Sequence, residues 1–165
     1  MVIRDPEVAD AERIGLAHSI AAEEAYGHYF PREWMAARNT AAQRTQQWAE
    51  QLQTYCRGGS GWRIRIAEDS DQVLGFGIFG RPRDQNAPAP NELHRLYVLS
   101  QAYGAGLAHR LFAALHPEQA PSYLWVMEAN TRAIAFYRKY GFEPDGVVEY
   151  VANMVDLPKI RMVRR

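Results

Sequence analysis

The chain lacks the features that mark secreted, membrane-spanning and nucleic-acid-binding proteins. Its one cysteine, Cys56, excludes an internal disulfide and is consistent with the cytoplasm. The 19 basic and 19 acidic residues cancel to a net charge of zero, so the charge indicates neither a nucleic acid nor an anionic membrane as a partner. No apolar run is long enough to span a bilayer, and the charged start MVIRDPE lacks the apolar core of a signal peptide. We therefore expect a cytoplasmic protein.

Apolar periodicity predicts the elements of the first half of the chain. Val2 and Ile3 predict a short strand, followed by a helix from about residue 8 to residue 26 and a second helix over residues 32–54. Residues 62–68 and 73–79 predict two antiparallel strands, and the glycines within the second strand indicate a bulge or a closely approaching neighbour. The prolines of residues 81–91 predict a loop.

The second half of the chain alternates strands with helices. Strands are predicted at residues 123–127, 147–151 and 159–163, with a break at residues 156–158 before the last of them. A helix is predicted at residues 131–140, and residues 116–121, which contain two prolines, predict the end of an earlier helix. This alternation predicts a mixed sheet with helices on both faces. The length fits a single domain, residues 1–165, and we expect no metal site in it.

Between these halves, residues 92–112, ELHRLYVLSQAYGAGLAHRLF, have the order strand, glycine loop and helix. Leu107, Leu111 and Leu115 place one apolar face on the helix. The N-terminus of such a helix directs backbone N–H groups and the positive end of its dipole toward the loop, which suits a phosphate. The loop fits neither a dinucleotide G-x-G-x-x-G motif, because His109 stands at the third glycine, nor a P-loop. Taken alone, it could also be a turn that requires small residues.

A second block of sequence follows about 25 residues after this loop. It contains an apolar strand that leads to Asn130, then Ala133, the pair Phe136-Tyr137, and residues 140–142, Tyr-Gly-Phe. Each piece has a structural explanation, since Asn130 is a good helix N-cap and the aromatic residues share one helical face. Those explanations do not account for the pairing of this helix with the earlier glycine loop.

Together the two blocks resemble the motifs of the GNAT acyl-CoA N-acyltransferase superfamily. Residues 103–108 are similar to its pyrophosphate motif R/Q-x-x-G-x-G/A, with Tyr103 where Arg or Gln is usual. The resemblance covers residues 62–145. It implies an α/β (α+β) fold with a mixed, mostly antiparallel central sheet, helices on both faces and a splayed central strand pair. It also implies that acetyl-CoA is bound and that its acetyl group passes to a primary amine of a small molecule or peptide by direct attack.

The resemblance assigns cofactor-binding roles to the two blocks. The backbone of the central strand would meet the thioester carbonyl, and the glycine loop would hold the pyrophosphate. Asn130 would contact the pantetheine arm, and the helix after it would line the cofactor site. The cofactor-binding residues implied in this way are Leu96, Tyr97, Val98, Tyr103, Gly104, Ala105, Gly106, Leu107, Ala108, His109, Asn130, Ala133, Phe136 and Tyr137.

The acid and the base are assigned by the same resemblance. Tyr137 stands where the family places the residue that faces the sulfur of CoA, although a packed core tyrosine would give the same pattern. Glu92, six residues before Val98, has the spacing of a catalytic glutamate in some family members, and a solvent-exposed strand end is the alternative. His94 would face the same side of the strand and is the reserve candidate for the base, with a water chain as a further possibility.

The acceptor is not named by the sequence. In the family, the junction of the first two helices forms one wall of the acceptor pocket. The resemblance therefore implies that Tyr26, His28 and Tyr29 bind the substrate. A solvated helix end with packed aromatic residues would also explain that cluster. Glu128 could orient the acceptor. Two alternative functions stay open: a CoA-binding regulatory module without turnover, supported only by Tyr103, and transfer of a longer acyl group. A homodimer is a separate prediction about assembly.

Overall fold

The computed structural model describes residues 1–116, 120–151 and 154–165. Within them lie seven strands and five helices, with 3-10 turns at Val8–Asp10 and Ser100–Ala102. In chain order the elements are β1 (Val2–Arg4), α1 (Ala11–Tyr26), α2 (Arg32–Arg38), α3 (Ala41–Cys56), β2 (Trp62–Asp69), β3 (Gln72–Gly80), β4 (Glu92–Val98), α4 (Leu107–Leu115), β5 (Ser122–Met127), α5 (Thr131–Arg138), β6 (Glu143–Val151) and β7 (Met154–Arg164).

The seven strands form one mixed, mostly antiparallel sheet in the order β1-β2-β3-β4-β5-β7-β6, which confirms the predicted fold class. Strands β4 and β5 are parallel neighbours, and their ladder comprises two pairs, Glu92 with Tyr123 and Leu93 with Leu124. A ladder this short agrees with the splayed central pair that the resemblance implies. The ladders of β1 with β2, β5 with β7, and β6 with β7 are antiparallel.

The chain forms two compact units, Met1–Ile78 with Arg95–Leu115, and Phe79–His94 with His116–Arg165. The organisation as a single domain over residues 1–165 stays a prediction. In the described residues, no helix is long and apolar enough to cross a membrane.

The first unit is built around β2 and β3. The fully buried side chains of Ile14 in α1 and Trp48 in α3 pack with Ile64, Phe76 and their neighbours in these strands. Since side chains alternate along a strand, the intervening glycines of β3 face the other side of the sheet, where α4 lies. A Cβ at Gly75 would lie 3.4 Å from Leu111 of α4. Helices thus cover both faces of the sheet in this unit.

The glycines of β3 also allow β4 to approach closely, as the sequence predicts. A Cβ on Gly75 or Gly77 would lie 2.9 Å from the carbonyl oxygens of Tyr97 and Arg95, respectively. Contacts under 3 Å to backbone atoms cannot be relieved by a rotamer change. The position of β4 against β3 therefore depends on these two glycines.

The helix predicted over residues 32–54 is wrong in one respect, because the chain breaks it into α2 and α3. Asn39 leaves the helical conformation, and Thr40 caps α3 by accepting a hydrogen bond from Gln43 N at 3.2 Å. The side chain of Gln43 in turn accepts from Thr40 N at 3.2 Å, which completes a capping box. The helical periodicity continues across this break and therefore concealed it.

Two strand predictions near the C-terminus also need correction. Strand β6 begins at Glu143 rather than Val147, and β7 runs through the predicted break at residues 156–158. Pro158 pairs with Tyr150, and the register of the ladder shifts between Tyr150 and Val151. Such irregularities are where strands tolerate proline. Helix α4 ends at Leu115, and residues 117–119 of the predicted helix end lie outside the described residues.

Candidate active site

The glycine loop of the first unit leads directly into α4. Gly104 and Gly106 have φ angles of +80° and +69°, which favour glycine over any other residue. A Cβ at either position would meet nothing within 4 Å, so the space over the loop is open. The first intrahelical bond runs from Arg110 N to Gly106 O at 3.1 Å, which places the amides from Leu107 onward at the helix N-terminus. The loop can therefore receive a phosphate group.

The predicted cofactor-binding residues 103–109 form the loop and the first turn of that helix. The side chain of Leu107 is buried and anchors α4 together with Leu111 and Leu115, while Tyr103 is 42% exposed. Ala105 and Ala108 add only small side chains to the turn and the first helical turn, and His109 follows them. An anchored helix with small residues at its start keeps the amide groups in a fixed orientation.

Tyr97 connects β4 with the helices of the first unit. Its ring lies 5.3 Å from that of Phe76, 5.4 Å from that of His18 and 6.4 Å from that of Tyr26. These contacts fix the side chain on one side of β4 and leave the backbone of Leu96, Tyr97 and Val98 as the predicted point of contact with a thioester.

The predicted substrate residues of the first unit lie at the end of α1. The Tyr26 ring also meets Phe30 at 6.5 Å, and the rings of His28 and Tyr29 are 3.8 Å apart. Glu24 accepts hydrogen bonds from the backbone N of Ser100 at 2.8 Å and from its hydroxyl at 2.6 Å. This pair of bonds joins the end of α1 to the turn that follows β4.

A cleft of about 430 Å³ opens between α1 and α2. It does not include Tyr26, His28 or Tyr29. Its lining residues carry two carboxylates and one guanidinium beside apolar groups: Ser19, Ile20, Glu23, Glu24, Arg32, Met35, Ala36 and Asn39.

In the second unit, Asn130 caps α5. Its side-chain oxygen accepts a hydrogen bond from Ala133 N at 3.0 Å, which confirms the predicted N-cap. We expect Asn130→Ala to lower the free energy of unfolding by about 1 kcal/mol, because this bond satisfies an amide of the first helical turn. Chemical denaturation measures the change, and Asn130→Ser, which retains a cap oxygen, is the matched control. An equal loss in both variants would contradict the capping role.

Tyr137 lies on the inner side of α5 and is 8% exposed. Its ring is 5.4 Å from that of Phe136 and 6.1 Å from that of Phe142. Glu128 is exposed, and its backbone N donates to the carbonyl oxygen of Pro158 at 2.9 Å. The acid role of Tyr137 and the acceptor role of Glu128 stay predictions.

Glu92, the predicted base, is buried with 0% exposure rather than lying at a solvent-exposed strand end. Its carboxylate accepts from Arg83 N at 2.8 Å, from Arg83 Nε at 2.9 Å and from the hydroxyl of Tyr123 at 3.0 Å, and Arg83 Nη2 completes the ion pair. Burial alone raises the pKa of Glu92, but the hydrogen bonds and charge of Arg83 outweigh burial and hold the pKa below its usual value. These surroundings argue against Glu92 as a general base.

His94, the reserve candidate, lies on the same side of β4 as Glu92, with 3.9 Å between Nε2 and the nearer carboxylate oxygen. Its Nε2 is 2.8 Å from the carbonyl oxygen of Arg81. Since a carbonyl only accepts, Nε2 carries the proton, and Nδ1 is the basic nitrogen of the neutral ring.

Sequence patterns did not reveal the partners of Glu92. Arg83 lies in the proline-rich loop, and Tyr123 lies in β5, 31 residues after Glu92. Asp84 of the same loop accepts from Trp125 Nε1 at 2.9 Å. Arg83 and Asp84 thus bond the loop to β4 and β5, respectively. These residues follow no periodic pattern, and only their charges indicated such bonds in the sequence. Among the described residues, no group of three or more His, Cys, Asp or Glu side chains is placed to hold a metal ion.

The chain is similar in sequence to known acetyltransferases. Residues 60–144 match the family model of the acetyltransferase (GNAT) domain. A probable N-acetyltransferase of Mycobacterium tuberculosis is 34% identical over 101 residues, which cover 60% of this chain and 57% of that protein. The match therefore spans little more than half the length of this relative.

Solved structures share the fold at low sequence identity. The PaiA N-acetyltransferase of Thermoplasma acidophilum, in complex with coenzyme A, has a TM-score of 0.74 at 15% identity over 99% of this chain and 98% of that one. The ribosomal-protein-alanine N-acetyltransferase of Brucella melitensis has a TM-score of 0.70 at 21% identity over 99% of each chain. YncA, a putative acetyltransferase of Salmonella typhimurium with acetyl-CoA, has 0.70 at 19% identity over 100% and 93%.

At these identities the structures establish the fold alone, whereas the family model covers just over half of the 165 residues and includes both sequence blocks. The chain belongs to the GNAT acetyltransferase family.

Proposed function

We propose that the protein is an acetyl-CoA-dependent N-acetyltransferase. It transfers the acetyl group to a primary amine of a small molecule or peptide, which attacks directly in a ternary complex. The observation that carries the proposal is the open, glycine-lined start of α4, where a Cβ at Gly104 or Gly106 would meet nothing within 4 Å. The PaiA and YncA relatives were crystallised with coenzyme A and acetyl-CoA, which supports the same cofactor here.

The residues of the loop and of α5 have separate roles toward CoA. The amides at the start of α4 hold the pyrophosphate through hydrogen bonds and the helix dipole. The amides of Leu96, Tyr97 and Val98 polarise the thioester carbonyl, and donors of this kind are worth about 3 kcal/mol each. Asn130 contacts the pantetheine arm, and Ala133 and Phe136 line the site. Acetyl-CoA supplies the activated acetyl group as a thioester.

Tyr137 is the proposed acid. Its hydroxyl donates a hydrogen bond to the departing sulfur; a free phenol has a pKa of about 10 and a free thiol a pKa of about 8.5. Full proton transfer from the phenol costs about 2 kcal/mol in isolation, so a hydrogen bond is the main contribution.

We expect Tyr137→Phe to lower kcat with little change in CoA affinity, since the substitution removes only the hydroxyl. Phe142→Leu, which changes the packing beside Tyr137 without removing a hydroxyl, is the control for a purely structural effect. Steady-state rates and calorimetry with CoA measure the two quantities. A wild-type kcat in Tyr137→Phe would show that the phenol is not the acid.

A different role is proposed for Glu92, as a positioning residue for Arg83 and Tyr123. We expect Glu92→Gln to lower the free energy of unfolding by about 2 kcal/mol, because an amide cannot accept all the bonds that the carboxylate accepts. The pKa of Glu92 is lowered in the folded state, so its contribution is present above its unfolded pKa of about 4.3 and is lost as the pH falls through the folded value. The free energy of unfolding should therefore fall less steeply at acidic pH in the variant than in the wild type.

The same variant tests the original assignment of Glu92 as base. A base would make Glu92→Gln lose about a hundredfold in turnover together with the acidic limb of the pH–rate profile. We expect that limb to be retained. His94→Asn is the paired variant: loss of the limb there would assign the proton to His94, and its retention would favour a bound water.

The experiment that tests the function is a thiol-release assay with acetyl-CoA and a panel of amines. Intersecting initial-rate patterns are expected for direct attack, whereas parallel lines would indicate an acyl-enzyme. The alternative, a regulatory module that binds CoA without turnover, predicts binding and no thiol release. Tyr26, His28, Tyr29 and Glu128 remain the proposed acceptor residues, and cytoplasmic location and a homodimer remain predictions.

A further inference from the structure

Three arginines of the first unit, Arg4, Arg13 and Arg65, pair with carboxylates. Arg4 bonds Asp10 at 2.8 Å and Glu68 at 2.7 Å. Arg13 lies 3.2 Å from the same Glu68 and also pairs with Asp10. Hydrogen bonds from Arg4 are the main cause that holds the pKa of Asp10 far below its usual range. In these pairs a carboxylate compensates the positive charge of the guanidinium.

Arg44, near the start of α3, is half-buried and has only neutral hydrogen-bond acceptors. Its Nε donates to Asn39 Oδ1 at 3.1 Å and its Nη1 to Gln47 Oε1 at 3.1 Å. The ion pairs formed by the described residues do not include it. Burial lowers the pKa of Arg44. A partly desolvated charge with neutral partners costs free energy that an anion would recover.

Arg95 of β4 places a second guanidinium in the same region. Its Nη1 donates to Gln51 Oε1 at 3.4 Å, and its guanidinium carbon lies 5.8 Å from the centroid of the Trp48 ring. Burial lowers the pKa of His18 to about 2, and the charges of Arg44 and Arg95 both add to that effect. Two positive charges thus act on one aromatic region of the first unit.

This region adjoins the cleft between α1 and α2. Asn39 lines the cleft and also receives the Nε–H of Arg44. Its side-chain nitrogen donates to Ser19 O at 2.8 Å, so the amide is held in one orientation with its oxygen toward Arg44. Of the two carboxylates that line the cleft, Glu24 is already bonded to Ser100. The positively charged guanidinium of Arg44 therefore lies directly behind Asn39 in the cleft wall.

We propose that the amine acceptor of this enzyme also carries an anionic group, such as the carboxylate of an amino acid, and that Arg44 and Arg95 bind this group beside the α1–α2 cleft. The assignment of the ligand as the acceptor rests on the proposed N-acetyltransferase function. The anion site itself does not, because it follows from the neutral partners of Arg44 and the cleft beside it.

Binding is tested first, without turnover. N-acetylated amino acids, which are product-like carboxylates, are added at constant ionic strength and the melting temperature is recorded. We expect them to raise the melting temperature of the wild type by mass action and to leave Arg44→Gln unaffected. Arg38→Gln, an exposed arginine stacked on Trp34 at 5.1 Å, is the matched control and should respond like the wild type. No stabilisation of the wild type, or equal stabilisation of Arg44→Gln, would overturn the anion site.

Turnover is tested second, with each amino acid compared with the amine that lacks its carboxylate. We expect kcat/KM to favour the carboxylate-bearing member about ten- to hundredfold, mostly through KM, and Arg44→Gln to remove that preference. Arg44→Lys, which keeps the charge, should restore part of it. Equal turnover of both members would overturn the anionic acceptor while the N-acetyltransferase function stands. Absence of thiol release from every amine would overturn that function, and the melting experiment would still decide the anion site.

Discussion

Gly106→Val is expected to abolish the rise in melting temperature that CoA produces in the wild-type protein. The Cβ of residue 106 would project into open space in the free protein, since nothing lies within 4 Å of it. That space is where the proposed pyrophosphate lies, so the new side chain would block the ligand rather than the fold. In the wild type, CoA at a hundred times its Kd should stabilise the protein by about 2.7 kcal/mol.

The variant also carries backbone strain, because Gly106 has a φ of +69°. Non-glycine residues in this region cost about 1–2 kcal/mol. Gly58→Val is the matched control: Gly58 has a φ of +81° and nothing within 4 Å of its Cβ, but lies in the loop before β2. The control should lose similar stability and retain the full response to CoA. A normal CoA response in Gly106→Val would contradict the assignment of the loop.

The second large effect is expected in acid, where the protein should lose stability as His18 becomes protonated in the unfolded chain. His18 is 3% exposed, its Nδ1 accepts from Trp48 Nε1 at 3.2 Å, and burial is the main cause that lowers its pKa to about 2. Between this value and about 6.5, the unfolded chain binds more protons than the folded protein. The stability contributed by the neutral ring is therefore complete above pH 6.5 and declines as the pH falls.

The loss should approach 1.4 kcal/mol per pH unit below the unfolded pKa and amount to about 2.3 kcal/mol between pH 6.5 and pH 4.5. Urea denaturation at several pH values measures it. His18→Asn, whose side-chain oxygen can take the place of Nδ1 without titrating, should flatten this slope even if it lowers stability at neutral pH. His28→Asn at an exposed position should keep the wild-type slope. An unchanged slope in His18→Asn would show that other groups govern the acid response.

Local sequence chemistry predicted much of the fold, including the elements that carry the proposed cofactor-binding residues. The apolar stripe of Leu107, Leu111 and Leu115 predicts a buried helix face, and the two glycines before it predict a loop between strand and helix. Asn130 predicts an N-cap for the same kind of reason. In each case the determining contacts lie within a few residues along the chain.

Features determined by distant partners were predicted less well. The buried carboxylate of Glu92 forms its ion pair with Arg83 from an aperiodic loop and accepts a hydrogen bond from Tyr123 of another strand. The neutral surroundings of Arg44 depend on Asn39, at the break between two helices that the periodicity joined into one. None of these partners can be predicted from sequence spacing, because the tertiary fold brings these groups together.

The central claim is tested most directly by incubating the protein with acetyl-CoA labelled in the acetyl group and a panel of primary amines that includes amino acids. Free thiol and labelled amide are measured in the same sample. We predict that both form in equal amounts with at least one amine, and that neither forms with Gly106→Val. Stable binding of CoA with no labelled amide from any amine would contradict the account and favour a regulatory CoA-binding module.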